Sequence, residues 1–183
     1  MTRWADREHQ FAGIDVTVGG TNFDEKVKVH GCLNQVYGYP SFEVSFVNRA
    51  GEVQDGWFAA NLSTDYYAFI GVYSYGDDEN ALFDSNNISA CDVLWVKKRD
   101  VKDFVEEHVS MEQLKHDAEE LREDGPDSWT TKRRKTYPHG RFWLTYSAWM
   151  PEKPVNLVFP RKELEALPHS ARFAVTREGT RRV

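Results

Sequence analysis

Cysteine is scarce in this chain, with two among 183 residues. Cys32 and Cys91 lie far apart and have no metal-ligand spacing, which argues against a zinc site or a disulfide framework. Two reduced thiols in or near the core are expected instead. Long apolar runs are missing too. No stretch approaches the ~18 apolar residues of a membrane-spanning helix. The opening residues, Met1 to Glu8, lack the apolar segment of a signal peptide. A cytoplasmic location with no membrane partner is the expectation. Internal repeats and low-complexity segments are absent, so a solenoid is not expected. Positive charge is also short, 23 Lys and Arg against 29 Asp and Glu, for a net charge of −6. Taken whole, that balance speaks against a nucleic-acid partner.

Apolar and aromatic side chains are plentiful. At 40% hydrophobic and 14% aromatic residues, the chain can bury a core and is not a disordered tail. Its length suits one domain over residues 1–183. The charge is unevenly spread. Residues 1–129 carry 11 basic and 25 acidic side chains, and residues 130–183 carry 12 basic and 4 acidic. An acidic body followed by a basic C-terminal third suggests that one surface meets a polyanion, although a solvated basic terminus explains charge alone equally well.

Residues 2–10 read as a short helix carrying Trp4, Glu8 and Phe11 towards the core. Ile14 to Val18 alternates as a strand does, and Gly19-Gly20 is a hairpin signal, because glycine accepts the positive φ of a tight turn. Further strands are expected at Phe23–Val29, Ser41–Asn48, Val53–Ala60, Tyr66–Tyr73, Ala90–Val96, Phe142–Trp149 and Val155–Phe159. Helices are expected at Asp100–His108, at Ser110–Asp124 with Ser110 as N-cap and Gln113 completing a capping box, and at Arg161–Leu167. Residues 76–87 and 126–140 read as loops, and the basic residues 172–183 as a poorly ordered tail. This order predicts an α+β fold, close to α/β, with a central mixed sheet flanked by helices.

Chemistry concentrates in residues 13–26. Side chains alternate along a strand, so Asp24 and Lys26 share a face, with Phe23 and Val27 on the other. Asp15 comes towards that face across the hairpin. Two converging carboxylates repel and are best tolerated around a hard cation. Mg²⁺ suits them, held by one or two carboxylates plus substrate phosphate. Lys26 beside such a site can orient or deprotonate a water and offset charge on a phosphorane-like transition state.

Asp15, a hairpin and then Asp24-Glu25-Lys26 resembles the PD-(D/E)XK nuclease superfamily, which includes restriction enzymes, junction resolvases and repair nucleases. Ile14-Asp15 matches the first half of the motif and Asp24 to Lys26 the second. Residues 13–75, with Phe42 to Phe46 and Asp65 to Tyr67, also look like small proteins of bacterial mobile regions. Ile14 stands where the family has proline, and Glu25 where an apolar residue is usual. Either Asp24 or Glu25 then serves as the ligand, with Asp24 preferred because it shares the face of Lys26. The resemblance implies a restriction-endonuclease-like core over 1–75 and a Mg²⁺-dependent (or Mn²⁺-dependent) DNA endonuclease. Asp15, Asp24 and Lys26 are then catalytic, with metal ligands drawn from Asp15, Asp24, Glu8, Glu25 and Glu43. A homodimer is expected for double-strand cutting.

Lys132-Arg133-Arg134-Lys135, with His139 and Arg141, is the expected DNA contact within the basic part 126–183. Consecutive cations in a loop reach successive phosphates. Arg161, Lys162, Arg172, Arg177, Arg181 and Arg182 extend that footprint. Asp65 is expected to cap or turn, and Trp143, Trp149 and Tyr146 to pack in a core and not against bases. Two further readings keep the fold without the activity. One is a non-catalytic inhibitor whose carboxylates mimic DNA, and the other a nuclease-fold subunit that binds DNA and leaves cutting to a partner.

Overall fold

The hairpin predicted from Gly19-Gly20 opens the sheet that carries the candidate site. Both glycines have positive φ, +57° and +86°, the pairing that a two-residue turn matched to strand twist requires. The computed structural model describes residues 1–6, 8–9, 12–28, 38–60, 62–74, 85–123, 133–137 and 140–183. In chain order the strands are β1 (Thr2–Arg3), β2 (Val16–Val18), β3 (Thr21–Lys28), β4 (Ser41–Val47), β5 (Val53–Asp55), β6 (Tyr66–Ser74), β7 (Ile88–Lys97), β8 (Arg133–Thr136), β9 (Trp143–Tyr146), β10 (Val155–Val158), β11 (Ala171–Thr176) and β12 (Gly179–Arg182). The helices are α1 (Lys98–Glu106), α2 (Met111–Glu123) and α3 (Arg161–Glu165). The fold is a mixed α+β arrangement.

Two sheets replace the one anticipated, and the chain packs as two compact units. The first unit comprises Met1–Gly38, Ser63–Val101 and Arg161–Val183. Its seven-stranded sheet has the order β1-β2-β3-β6-β7-β11-β12. The sheet is mixed because β3 runs parallel to β6, whereas its other pairs are antiparallel. A parallel pair needs a long crossover, and the chain between β3 and β6 leaves the sheet to build part of the second unit. Tyr67, Phe69, Leu94 and Val96 are fully buried here, and Leu164 of α3 nearly so.

The second unit comprises Tyr39–Leu62 and Lys102–Pro160. Its five-stranded antiparallel sheet has the order β5-β4-β10-β9-β8. Phe42 packs edge-on against Phe58 and Phe159, with ring centroids 5.3 and 5.4 Å apart. Along α2, Leu114, Ala118 and Leu121 are buried at the i, i+4, i+7 spacing of one helical face. The predicted cap forms, Gln113 N donating to Ser110 Oγ at 3.1 Å.

Several expectations are corrected. Thr2 and Arg3 are not helical. They pair with Thr17 and Val16, which satisfies the outer edge of β2. The strand expected over Val53–Ala60 stops at Asp55 and gives way to a turn. Within the supposed basic loop, Arg133–Thr136 is a strand paired with β9. Residues 172–183, expected to be poorly ordered, fall within and after the β11–β12 hairpin, because alternating Arg172, Phe173, Ala174 and Val175 have a neighbour to pair with in β7. Cys91 is half-buried, whereas Cys32 lies outside the described residues.

Candidate active site

The site is built on the β2–β3 hairpin. Its register pairs Val16 with Phe23 and Thr17 with Asn22, so one further step sets Asp15 opposite Asp24. Backbone bonds fix Asp15. Its N–H donates to Phe23 O at 2.9 Å, and its carbonyl accepts from Trp4 N at 2.8 Å. The Asp15 carboxylate accepts the Glu25 N–H at 2.8 Å. Further anchoring comes from Asp65, which turns the chain before β6 and accepts the Asn22 N–H at 2.9 Å. This is the turn-forming role expected of it.

Asp24 is 4% exposed. Lys26 Nζ stands 2.7 Å from its Oδ1 and keeps 29% of its side chain in solvent. Burial pushes the Asp24 carboxyl up to about 6, against the pull of Lys26, and the neighbouring Asp15 carboxylate pushes it further. Tyr67 of β6 is paired in register with Asp24 and is fully buried. Burial, reinforced by the charge of Asp24, holds its hydroxyl well above the usual phenol range. Asp15, Asp24, Lys26 and Tyr67 therefore gather on one side of the sheet. A buried carboxylate beside a second carboxylate, with a half-exposed ammonium at its edge, can hold a proton near neutral pH or accept a hard cation.

No family model, no curated protein and no solved structure matches this chain.

Other expected site residues lie elsewhere. Glu25 points to the opposite face, where its carboxylate meets Arg3 at 2.8 Å. This follows from strand alternation, and Asp24 is the carboxylate that Lys26 meets. Glu8 is exposed. Glu43 sits on β4 of the second unit, paired with Asn156. Among the described residues, no three His, Cys, Asp or Glu side chains form a metal-holding group.

The expected DNA contacts are largely engaged within the protein. Lys135 Nζ lies 2.6 Å from Asp117 and 3.4 Å from Glu120. Arg134 covers the Trp143 ring at 3.9 Å, and Arg141 the Phe104 ring at 4.3 Å. Arg133 lies in β8, and Lys132 and His139 lie outside the described residues. Arg161, expected in the footprint, is 6% exposed and clamped between Asp92 at 2.5 Å and Glu165 at 2.6 Å. Asp92 also takes Arg172 at 2.7 Å. Arg177 is bonded to the Asn86 carbonyl, and Lys162, Arg181 and Arg182 are exposed.

Tyr67 is the residue that sequence reasoning passed over. The Asp65-Tyr66-Tyr67 strand was visible, but its tie to Asp24 depends on a parallel pairing between segments about forty residues apart. Periodicity carries no trace of that pairing.

Proposed function

We propose that the chain is a Mg²⁺-dependent DNA endonuclease of the PD-(D/E)XK type, with Asp15, Asp24 and Lys26 as its working residues. The observation that carries this reading is the meeting of Asp15, Asp24 and Lys26 on one side of β3. Two carboxylates suffice for Mg²⁺, which keeps several waters and takes further oxygens from substrate phosphate. The raised Asp24 carboxyl fits that donor set, since a divalent cation offsets both its burial and its repulsion from Asp15. Held by Asp15 and Asp24, Mg²⁺ would supply a polarised water and offset charge on the phosphate.

The chain's own residues do the rest. Asp15, pinned through the Glu25 N–H, is a fixed carboxylate. Lys26, half-exposed, leaves Asp24 for the phosphate, orients the attacking water and offsets the negative charge that develops. Tyr67, fully buried beside Asp24 on the neighbouring strand, shields that side from water. Cytoplasmic location and a homodimer for double-strand cutting belong to the same proposal.

The test is cleavage of supercoiled plasmid with Mg²⁺, Mn²⁺ or EDTA, for wild type, Asp24→Ala and Lys26→Ala. Metal-dependent cutting that falls about a hundred- to a thousandfold in both variants supports the reading. Full activity in both variants overturns the site. A second reading, a nuclease-fold subunit that binds DNA without cutting, draws on the 4% exposure of Asp24. Folded wild type that binds plasmid but never cuts it, with any metal, favours that one.

A further inference from the structure

The opposite face of the same sheet has a different character. Residues in register across strands share a face. Asp24, Tyr67 and Val96 form a row on the site side. The next row back, Phe23, Tyr66 and Lys97, lies on the other side, followed by Glu25, Ala68 and Trp95, then Val27, Ile70, Val93, Phe173 and Arg182. Four aromatic rings therefore run obliquely across β3, β6, β7 and β11. Phe23 lies 5.5 Å from Tyr66 and 4.9 Å from Trp95, and Trp95 lies 4.6 Å from Phe173. Tyr66, Trp95 and Phe173 remain half-buried, unlike the fully buried Tyr67, Phe69 and Leu94 on the other side, and Val27 is 54% exposed.

The margins of this face are cationic. Lys97 closes one end of the aromatic row and the exposed Arg182 the other. Among the described residues neither forms an ion pair. Glu25, the one carboxylate in these rows, is already matched by Arg3 at 2.8 Å. An apolar aromatic strip between two uncommitted cations, on a chain of net charge −6, marks a surface for a flat apolar group carried on an anionic backbone.

We infer that this face binds single-stranded nucleic acid, its unpaired bases stacking on Trp95, Phe173 and Tyr66 while Lys97 and Arg182 meet the phosphates. Every base has a π-face, so stacking of this kind tolerates sequence, and an aromatic sheet face holds about two or three bases. Strand spacing of about 4.8 Å sets β3 and β11 about 14 Å apart, which matches that number. A duplex keeps its bases stacked inside and offers this face only its backbone. A second copy of the chain has nothing here to neutralise Lys97 and Arg182, since the same two cations would meet each other.

The test is fluorescence anisotropy of labelled oligo(dT), in EDTA so that cleavage plays no part, with an unlabelled duplex as competitor. Wild type is expected to bind the single strand at least tenfold more tightly than the duplex. Trp95→Ala is expected to weaken binding about tenfold. Because that change risks the fold, the surface variant Lys97→Gln/Arg182→Gln carries the decision. It should keep the circular dichroism of wild type, weaken binding about tenfold and make the log–log salt dependence shallower by about 1.4, as two lost phosphate contacts on a single strand require. Unchanged affinity in that folded variant overturns the proposal. So does equal affinity for duplex, or a concentration-dependent dimer that Trp95→Ala dissociates while wild type ignores oligo(dT).

Discussion

Three lysine–aspartate contacts in this protein are nearly the same length. Lys26 meets Asp24 at 2.7 Å, Lys135 meets Asp117 at 2.6 Å, and Lys115 meets Asp55 at 2.6 Å. Asp24 and Asp117 are almost sealed from solvent, 4% and 2% exposed. Their carboxyls nevertheless move in opposite directions. Burial carries Asp24 up to about 6. Burial also presses on Asp117, but hydrogen bonds from Lys135, Tyr137 and Gln113 outweigh it and hold that carboxyl below its ordinary value. Tyr137 donates at 2.7 Å and Gln113 at 2.7 Å. Asp24 has a second carboxylate at its side where Asp117 has two more donors. Contact length therefore says little about a buried carboxylate: burial outweighs the single lysine at Asp24, whereas three donors outweigh burial at Asp117. Asp117 is satisfied and structural. Asp24 is held with its charged form disfavoured by burial and by the neighbouring Asp15.

The largest effect on stability is expected at Asp24. Its folded value lies near 6 and its unfolded value near 3.8. Between those limits the folded chain keeps a proton that the unfolded chain has released, so stability falls as pH rises through the window. The cost is complete above about pH 6 and amounts to about 3 kcal/mol. In EDTA, urea denaturation from pH 4 to 7 should record that decline in wild type, and Asp24→Asn should remove most of it. Parallel curves for the two proteins would break the contrast with Asp117. Mg²⁺ sharpens the same comparison. It should raise the melting temperature more at pH 7.5 than at pH 5, because protonated Asp24 is a poor ligand, and Asp24→Asn should abolish that gain.

The second effect belongs to Asp117. A lowered carboxyl contributes stability that is present above the unfolded value near 3.8 and lost as pH falls through the folded value. It adds no slope in the window where Asp24 acts. Tyr137→Phe removes one donor, and Asp117→Ala strands the buried Tyr137 hydroxyl, at a cost of about 1–3 kcal/mol. Urea midpoints at pH 7 measure it, and cleavage should be unaffected. An Asp117→Ala variant as stable as wild type would show that donor count is not what separates the two sites.

The sequence disclosed this contrast only in part. Asp15, Asp24 and Lys26 were legible because each lies within ten residues of a glycine turn, and hairpin register is a local property. The opposite placing of Glu25, kept as an alternative ligand, follows from strand alternation as well. The pairing of Lys135 was hidden because its partner, Asp117, comes from a helix in an earlier segment, and a basic tetrapeptide carries no sign of that neighbour. The hairpin of β11 and β12 was missed for a related reason. Arg172, Arg177, Arg181 and Arg182 suggest a solvated tail until Asp92 and the edge of β7 supply partners. Division into two sheets was equally hidden, because it depends on which strands meet, and strands of two to four residues, such as β1, β2, β5, β8, β9, β10 and β12, give periodicity little to work on.

The smallest effect tests the comparison from its exposed end. Lys115 and Asp55 retain 38% and 49% of their side-chain exposure. Water already solvates both charges, so little desolvation is incurred and little attraction gained, and holding two long side chains in one geometry cancels part of what remains. Lys115→Ala should therefore change the urea midpoint by no more than about 0.5 kcal/mol, and the change should vanish in high salt, where surface charges are screened. Its length is within 0.1 Å of the Asp24 contact. A loss as large as that expected at Asp117, persisting in salt, would mean that short contact length itself carries stability here. Burial and the charge of Asp15 would then not be enough to set the Asp24 contact apart from the exposed one.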